Sequence, residues 1–349
     1  MFSIIKKIFK KPNFKTDTPH PNNVLLVETN GCHGEVISAY IQYFQRLNIN
    51  VYCLVNKRVA RENPFCRLSD IKQIYSASLK NLSKLLKSKH LDKYDHIFIM
   101  SSINYKGGER NISDMFPDLK KHRSVFYVHH ESQYISELYT DTDINHNIML
   151  GRYKNCTYIN PHLFGEHKIP SKTDTTTFIC VGGIAPERKN HKILLNAIQE
   201  LHNQGLKFQV LIVGYGHLKN IPTDIKKHIK LVGHINYSDM YKYVESAHFF
   251  LPLLDPNVSE HKKYITIKTT GSAQLIYGFK KVPVIHTKFA NFYDFDKTNA
   301  IIYDDLTDGM RDAILLNNTE YSELIASLEK TANKIAQESL QNLQKILLK

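Results

Sequence analysis

The stretch Phe178-Ile179-Cys180-Val181-Gly182-Gly183-Ile184-Ala185-Pro186-Glu187-Arg188-Lys189-Asn190-His191 carries residues suited to holding a phosphorylated anion. An apolar strand runs into two glycines, Gly182 and Gly183, and then into the basic pair Arg188 and Lys189 just ahead of a helical pattern. Glycine lets a backbone approach a ligand closely. A helix N-terminus presents free N–H groups and partial positive charge. Arg188 and Lys189 add full charges, and the combination suits a diphosphate. A solvated basic turn after a strand would use the same residue types.

A second group, His129 and His130 followed by Glu131, ends an apolar strand. A histidine at such an edge can donate a hydrogen bond to a hydroxyl or assist an incoming group, or it can be purely structural. Adjacent histidines on a strand point to opposite sides, which argues against one shared metal ion. The loop Asn30-Gly31-Cys32-His33-Gly34-Glu35 follows another strand. Gly31 and Gly34 permit a tight turn there, and Glu35 opens the next helix, where the dipole favours an acid whatever its function. This loop lacks Gly-x-Gly-x-x-Gly spacing, and the chain has no Gly-Lys-Ser/Thr phosphate loop. A dinucleotide site and an ATPase therefore have little support.

Short β-rich runs separated by amphipathic segments must position these residues. The first set is Val24 to Val27, Val51 to Val55, His96 to Met100, Ser124 to Val128 and Cys156 to Ile159, with helices over Val36 to Leu47 and Leu79 to Leu86. The pattern restarts with Thr177 to Val181, Phe208 to Val213, Ile229 to Val232, His248 to Pro252 and Val282 to His286. Ile193 to Leu201, Met240 to Val244 and Ser272 to Phe279 have helical spacing. The expected fold is α/β: two Rossmann-like domains with parallel sheets facing an inter-domain cleft, ligands lying at the carboxyl ends of the strands. The divisions are 1–20, a basic segment and linker; 21–170, the first domain; 171–317, the second; and 318–349, one or two terminal helices.

At 349 residues and 42% hydrophobic content the chain can bury two cores. Its net charge of +13 favours anionic partners, although frequent Asn, Ile, Lys and Tyr would also follow from a gene poor in G and C. The basic residues are scattered, with no aromatic-plus-basic motif, so nucleic acid is not an expected partner. Five cysteines without metal or redox spacing fit a reducing compartment. No apolar stretch reaches the ~18 residues of a membrane span. The first eleven residues, MFSIIKKIFKK, form an amphipathic pattern, apolar on one side and lysine-rich on the other, with Pro12 as its end. The expected partner of residues 1–11 is an anionic membrane surface, and the expected location is cytoplasmic and peripheral on the inner membrane face.

From Phe178 to about Tyr303 the order of motifs resembles the family 4 (group 1) glycosyltransferases of GT-B architecture. The first stretch is similar to the strand–Gly–Arg–x–x–x–Lys segment of that family. Val213-Gly214-Tyr215-Gly216, Val232-Gly233-His234, the helix over Tyr237 to His248, and Val282-Pro283-Val284-Ile285 follow in the family's order. The first domain is less similar; only Gly31 to Glu35 and His129 match. Two glutamates eight positions apart are usual before the last strand, and here Lys268 and Ile276 occupy those places. Glu260 is the nearest acidic substitute. Backbone N–H groups at Gly271, with the Thr270 and Ser272 hydroxyls, can hold phosphates where the family carboxylate is lost.

The resemblance implies a hexosyltransferase moving sugar from a nucleotide-sugar co-substrate, with no other cofactor; with residues 1–11 as an anchor, the expected acceptor is a glycan or lipid-linked envelope acceptor. It further implies retention of configuration and no metal. Donor contacts would come from Gly31, Gly182, Gly183, Arg188, Lys189, Gly214, His234, Thr270, Gly271 and Ser272, and catalytic groups from His129, His130 and Glu260. A non-catalytic basic module binding membrane or nucleic acid, and a nucleotide-sugar epimerase on the same fold, are the alternatives.

Overall fold

The computed structural model describes residues 14–104, 109–122, 124–132, 146–153, 156–185, 188–216, 218 and 220–348. The amphipathic stretch 1–11 lies outside them. Two compact units are present. One comprises Met1–Gly165 with Ala336–Lys349, the other Glu166–Ile335. Relative to the sequence divisions, the terminal segment is one helix whose two halves belong to different units.

The first unit is built on a seven-stranded sheet of β1 (Asn23–Glu28), β2 (Asn50–Asn56), β3 (Gln73–Ala77), β4 (His96–Ile99), β7 (Val125–His129), β8 (Asn147–Met149) and β9 (Thr157–Tyr158). Its order is β3-β2-β1-β4-β7-β8-β9. Every pairing in it is parallel. A short antiparallel pair, β5 (Ile103–Asn104) and β6 (Arg110–Asn111), follows β4.

The alternation along β1 explains why all six of its residues are buried. Val24 and Leu26 join Val51, Cys53 and Val55 in one core, with α1 (Gly34–Arg46) laying Val36, Ile37, Tyr40, Ile41 and Phe44 against it. Leu25 and Val27 join Tyr52, Leu54 and Tyr75 in a second core on the other face, which Phe14 and α2 (Leu79–Leu85) help close. Apolar residues on both faces of a strand are what a doubly covered parallel sheet requires.

The second unit repeats the plan with six strands: β10 (Thr176–Val181), β11 (Phe208–Val213), β12 (Ile229–Gly233), β13 (Phe249–Phe250), β14 (Val282–His286) and β15 (Ile301–Tyr303). Their order is β12-β11-β10-β13-β14-β15, again parallel throughout. Its helices include α3 (His191–Asn203), α4 (Tyr237–Ser246), α5 (Gly271–Phe279) and α6 (Leu306–Leu315). Phe178, Cys180, Val210, Ile212, Leu194 and Ile198 form the centre of its core. The long α7 (Asn318–Leu347) gives Tyr321 and Leu324 to this core and Ala336, Leu343 and Ile346 to the first. No helix among the described residues is long and apolar enough to cross a membrane.

Candidate functional site

In the second unit, the strand ends converge through close backbone contact. Gly214 donates its N–H to Gly233 O (3.0 Å), and Gly182 donates to Val213 O (2.8 Å). A Cβ at Gly214 would lie 1.8 Å from the Gly182 carbonyl oxygen, and its φ is +157°. Only glycine fits there. Gly182, at φ +130°, leaves room for the Lys189 stem, which a Cβ would meet at 3.0 Å. The Arg188 side chain lies over Gly183 and is exposed.

Lys189 is not the solvated turn residue its surroundings in sequence allow. It is buried, 5% exposed. Its Nζ donates to Pro252 O (2.8 Å), just beyond β13, and to Ser272 Oγ (3.2 Å) in the first turn of α5. Burial holds its amino group below the usual lysine range, Cys180 opposing. No described carboxylate is hydrogen-bonded to it. Thr270 caps α5, its Oγ1 accepting from Ser272 N (3.3 Å). Gly271 is exposed, and a Cβ there would meet nothing closer than Gln274 Oε1 at 3.6 Å.

Lys281 provides a control. It is fully buried and donates to Glu245 O (2.8 Å) and Ala247 O (2.9 Å) at the end of α4. There the helix dipole itself supplies negative potential. Lys189 instead stands at a helix start, where the dipole adds positive potential to its charge.

The remaining predicted residues fall into distinct places. Asn190 caps α3 through its side chain and also donates to Asp255 Oδ2 (2.6 Å). Asp255 is buried and accepts Asn257 N (2.8 Å), while its own N–H reaches His261 Nδ1 (2.8 Å). Asp255 is thus the carboxylate joined to the Lys189–Asn190 corner, a residue the sequence pattern does not single out. Glu260 is exposed on the turn Ser259–Lys262 and accepts the Ser259 hydroxyl (2.7 Å), which favours its ionised form. Lys268 lies over the Tyr264 ring, and Ile276 is fully buried, so neither substitutes for the family carboxylates. His234 is exposed and stacks on Tyr215 with centroids 3.8 Å apart.

In the first unit, His129 and His130 point apart, as alternation requires. His129 is fully buried with both ring nitrogens held, Nδ1 by Ser102 Oγ (2.8 Å) and Nε2 by Asn147 Oδ1 (2.7 Å). Burial lowers its pKa to about 4, so it is a neutral packing element. His130 is half-buried. Its Nε2 lies 3.1 Å from Met100 O and 3.2 Å from Ser101 Oγ. Burial, then His33, push its pKa down to about 3. His33 adopts φ +62° ahead of α1, packs its ring 4.3 Å from that of His130, and brings Nδ1 within 3.6 Å of Glu35 Oε1. Burial disfavours the His33 cation, but Cys32 and Glu35 outweigh it and raise its pKa. Gly31 lies beside the Arg58 side chain, which a Cβ would meet at 2.8 Å.

Below this surface sits Glu28, fully buried at the end of β1. It accepts Asn30 N (2.6 Å) on Oε1 and the Ser101 hydroxyl (2.6 Å) on Oε2. Burial pushes its pKa up to about 7 despite those bonds. Among the described residues no cluster of three or more potential ligands could hold a metal ion.

Two parallel, doubly wound α/β sheets with glycine-rich strand ends define a GT-B fold. Residues 175–315, within the second unit, match the family model "Glycosyl transferases group 1". A glycosyltransferase from Rickettsia africae ESF-5 superposes with a TM-score of 0.58 at 10% identity, covering 94% of this chain and 98% of that one. Anabaena HepE in complex with UDP and glucose gives 0.59 at 11% identity, covering 93% and 99%. A point mutant of S. aureus TarM, bound to UDP and other ligands, gives 0.59 at 12%, also covering 93% and 99%. These likenesses are of fold. No curated protein sequence matches the chain significantly.

Proposed function

We propose that this chain is a glycosyltransferase whose second unit binds the diphosphate of a nucleotide-sugar donor. The observation that carries the proposal is the buried Lys189 ammonium at the start of α5, bonded only to a carbonyl and a hydroxyl among the described residues. A buried charge is normally paired. Here the ammonium, the positive end of the α5 dipole and the nearby Arg188 supply the positive side of an ion pair, and an incoming anion would supply the negative side. A diphosphate meets that need, and the group 1 match over residues 175–315 agrees with it. UDP is the first nucleotide to test, because HepE and TarM were both solved with it.

In the reaction, the bond between the anomeric carbon and the diphosphate oxygen breaks, and a bond to the acceptor oxygen forms as that hydroxyl loses its proton. Lys189, Arg188 and the α5 start stabilise the charge that develops on the leaving diphosphate. These cations also serve where a metal would otherwise neutralise phosphate, which supports metal-independent transfer. Retention of configuration and a hexosyl group follow from the group 1 resemblance. The first unit, with His130, takes the acceptor. A lipid-linked or envelope glycan, handled at the inner membrane face by a cytoplasmic protein, follows from the amphipathic pattern of residues 1–11. Calorimetric titration with UDP and UDP-glucose tests the donor site. Micromolar binding by the wild type and loss in Lys189→Met support it; equal binding by both proteins overturns it.

A further inference from the structure

The first unit contains a hydrogen-bonded chain that the donor reading leaves unused. It starts at the main-chain N–H of Asn30, passes through both carboxyl oxygens of Glu28, continues through the Ser101 hydroxyl and ends at His130 Nε2. Three strand ends are joined by it: β1 supplies Glu28, the loop after β4 supplies Ser101, and His130 follows β7. Each bond also fixes a direction. A carboxylate can only accept, so the single Ser101 proton points at Glu28. The Ser101 oxygen is then left as an acceptor toward His130. The Met100 carbonyl, 3.1 Å from the same nitrogen, can also only accept. Both partners therefore require His130 to carry its proton on Nε2, leaving a lone pair on Nδ1. No described group is bonded to that Nδ1.

We propose that Glu28, acting through Ser101, is a positioning residue that sets the tautomer and ring orientation of His130, and through Asn30 fixes the Gly31–Gly34 loop beside it. This inference rests on the reading of the first unit as the acceptor side. His130 Nδ1 then faces the acceptor and orients it, receiving a hydrogen bond from the hydroxyl that attacks the donor, while the proton of that hydroxyl passes to the departing diphosphate oxygen. A protonated Glu28 would donate to Ser101 and reverse the hydroxyl, which removes one of the two acceptors holding Nε2–H. The groups facing Glu28 are Ser101 after β4, His33 and Glu35 at the start of α1, and His130 after β7. His33 favours its charged form and Glu35 opposes it. Burial puts its titration at about 7, so the arrangement weakens as pH falls through neutrality.

The test has an arm that does not depend on the reaction. In the ¹⁵N-histidine-labelled apo protein, His130 should show the Nε2–H tautomer at pH 8. Its ring shifts should move as pH is lowered through about 7, and that movement should vanish in Glu28→Gln and in Ser101→Ala. With UDP-glucose and water as acceptor, each variant should lose roughly 10- to 100-fold in kcat at unchanged KM. The double variant should lose no more than the worse single, as residues in one chain are coupled. An Nδ1–H tautomer, a pH response unchanged in Glu28→Gln, or additive losses would each overturn the proposal. If the wild type neither binds nor hydrolyses UDP-glucose while the histidine shifts behave as described, the donor reading fails and the Glu28 chain stands.

Discussion

The carboxyl edges of the two sheets share a topology and differ in chemistry. The edge of the second sheet is made of backbone and fixed positive charge: Gly182, Gly214, the start of α5 and the buried Lys189. The edge of the first is made of groups that gain or lose protons: Glu28, His33, Glu35 and His130. The same fold thus presents a fixed cationic, glycine-rich edge in one unit, where we propose the donor diphosphate binds, and a titratable edge in the other, because strand-end loops are free to vary while the sheets are not.

The comparison is broken most severely at Gly214. Gly214→Ala places a Cβ 1.8 Å from the Gly182 oxygen. A loss of more than about 4 kcal/mol is expected, read as failure to fold or a collapse of Tm. Normal thermal stability would show that the strand ends can part. Next in size, Lys189→Met keeps the buried stem and removes the charge. Donor affinity should fall at least about 100-fold, since charge-assisted hydrogen bonds to phosphate are lost. Gly271→Val then separates ligand from fold. Gly271 is exposed and a Cβ there meets nothing closer than Gln274 Oε1 at 3.6 Å, so Tm should hold while donor affinity drops roughly tenfold. A fall in both would make Gly271 structural.

Glu28→Gln should have the smaller effect on stability, and one of opposite sign. The folded-state pKa of Glu28 is about 7, above its ordinary value of 4.5. The folded protein therefore binds a proton that the unfolded chain has released. The stability this brings is complete below pH 4.5 and is lost as pH rises through about 7. The neutral amide escapes that loss. Denaturant titrations at pH 5 and pH 8 should show the variant gaining on the wild type at the higher pH. Equal differences at both would place the Glu28 titration elsewhere. Last, Asp255→Asn should lower stability by about 1–3 kcal/mol, since it disturbs a buried acceptor, and Glu260→Gln by less than about 0.5.

Continuous apolar runs make much of the fold legible. β2, β10, β11 and β14 lie where their Val- and Ile-rich segments predict. β3, β8 and β15 do not stand out in the sequence, because Gln73–Ala77 and Asn147–Met149 are short and mixed with polar residues, and Ile301–Tyr303 is only three residues long. Tertiary pairing, not local pattern, makes them strands. At the site, Lys189, Thr270 and Ser272 are readable from type and order. Glu28, Ser101 and Asp255 are not, because an acid or serine at a strand end normally faces water. Only the packing of neighbouring strand ends makes them buried. His129 shows the converse: its position suggests chemistry, and its two saturated nitrogens give it a packing role.

The division of α7 between the two cores has a consequence for biosynthesis. Ala336, Leu343 and Ile346 belong to the core that opens with Val24, yet the whole second unit, Glu166–Ile335, is translated between them. At ordinary elongation rates that interval is roughly 10–30 s. During it the nascent first unit lacks part of its apolar core, which is completed only when Ala336, Leu343 and Ile346 emerge. Completion of the N-terminal unit therefore waits on synthesis of the second, and a chain cut short before Ala336 would leave that apolar surface open for chaperones or proteases to find.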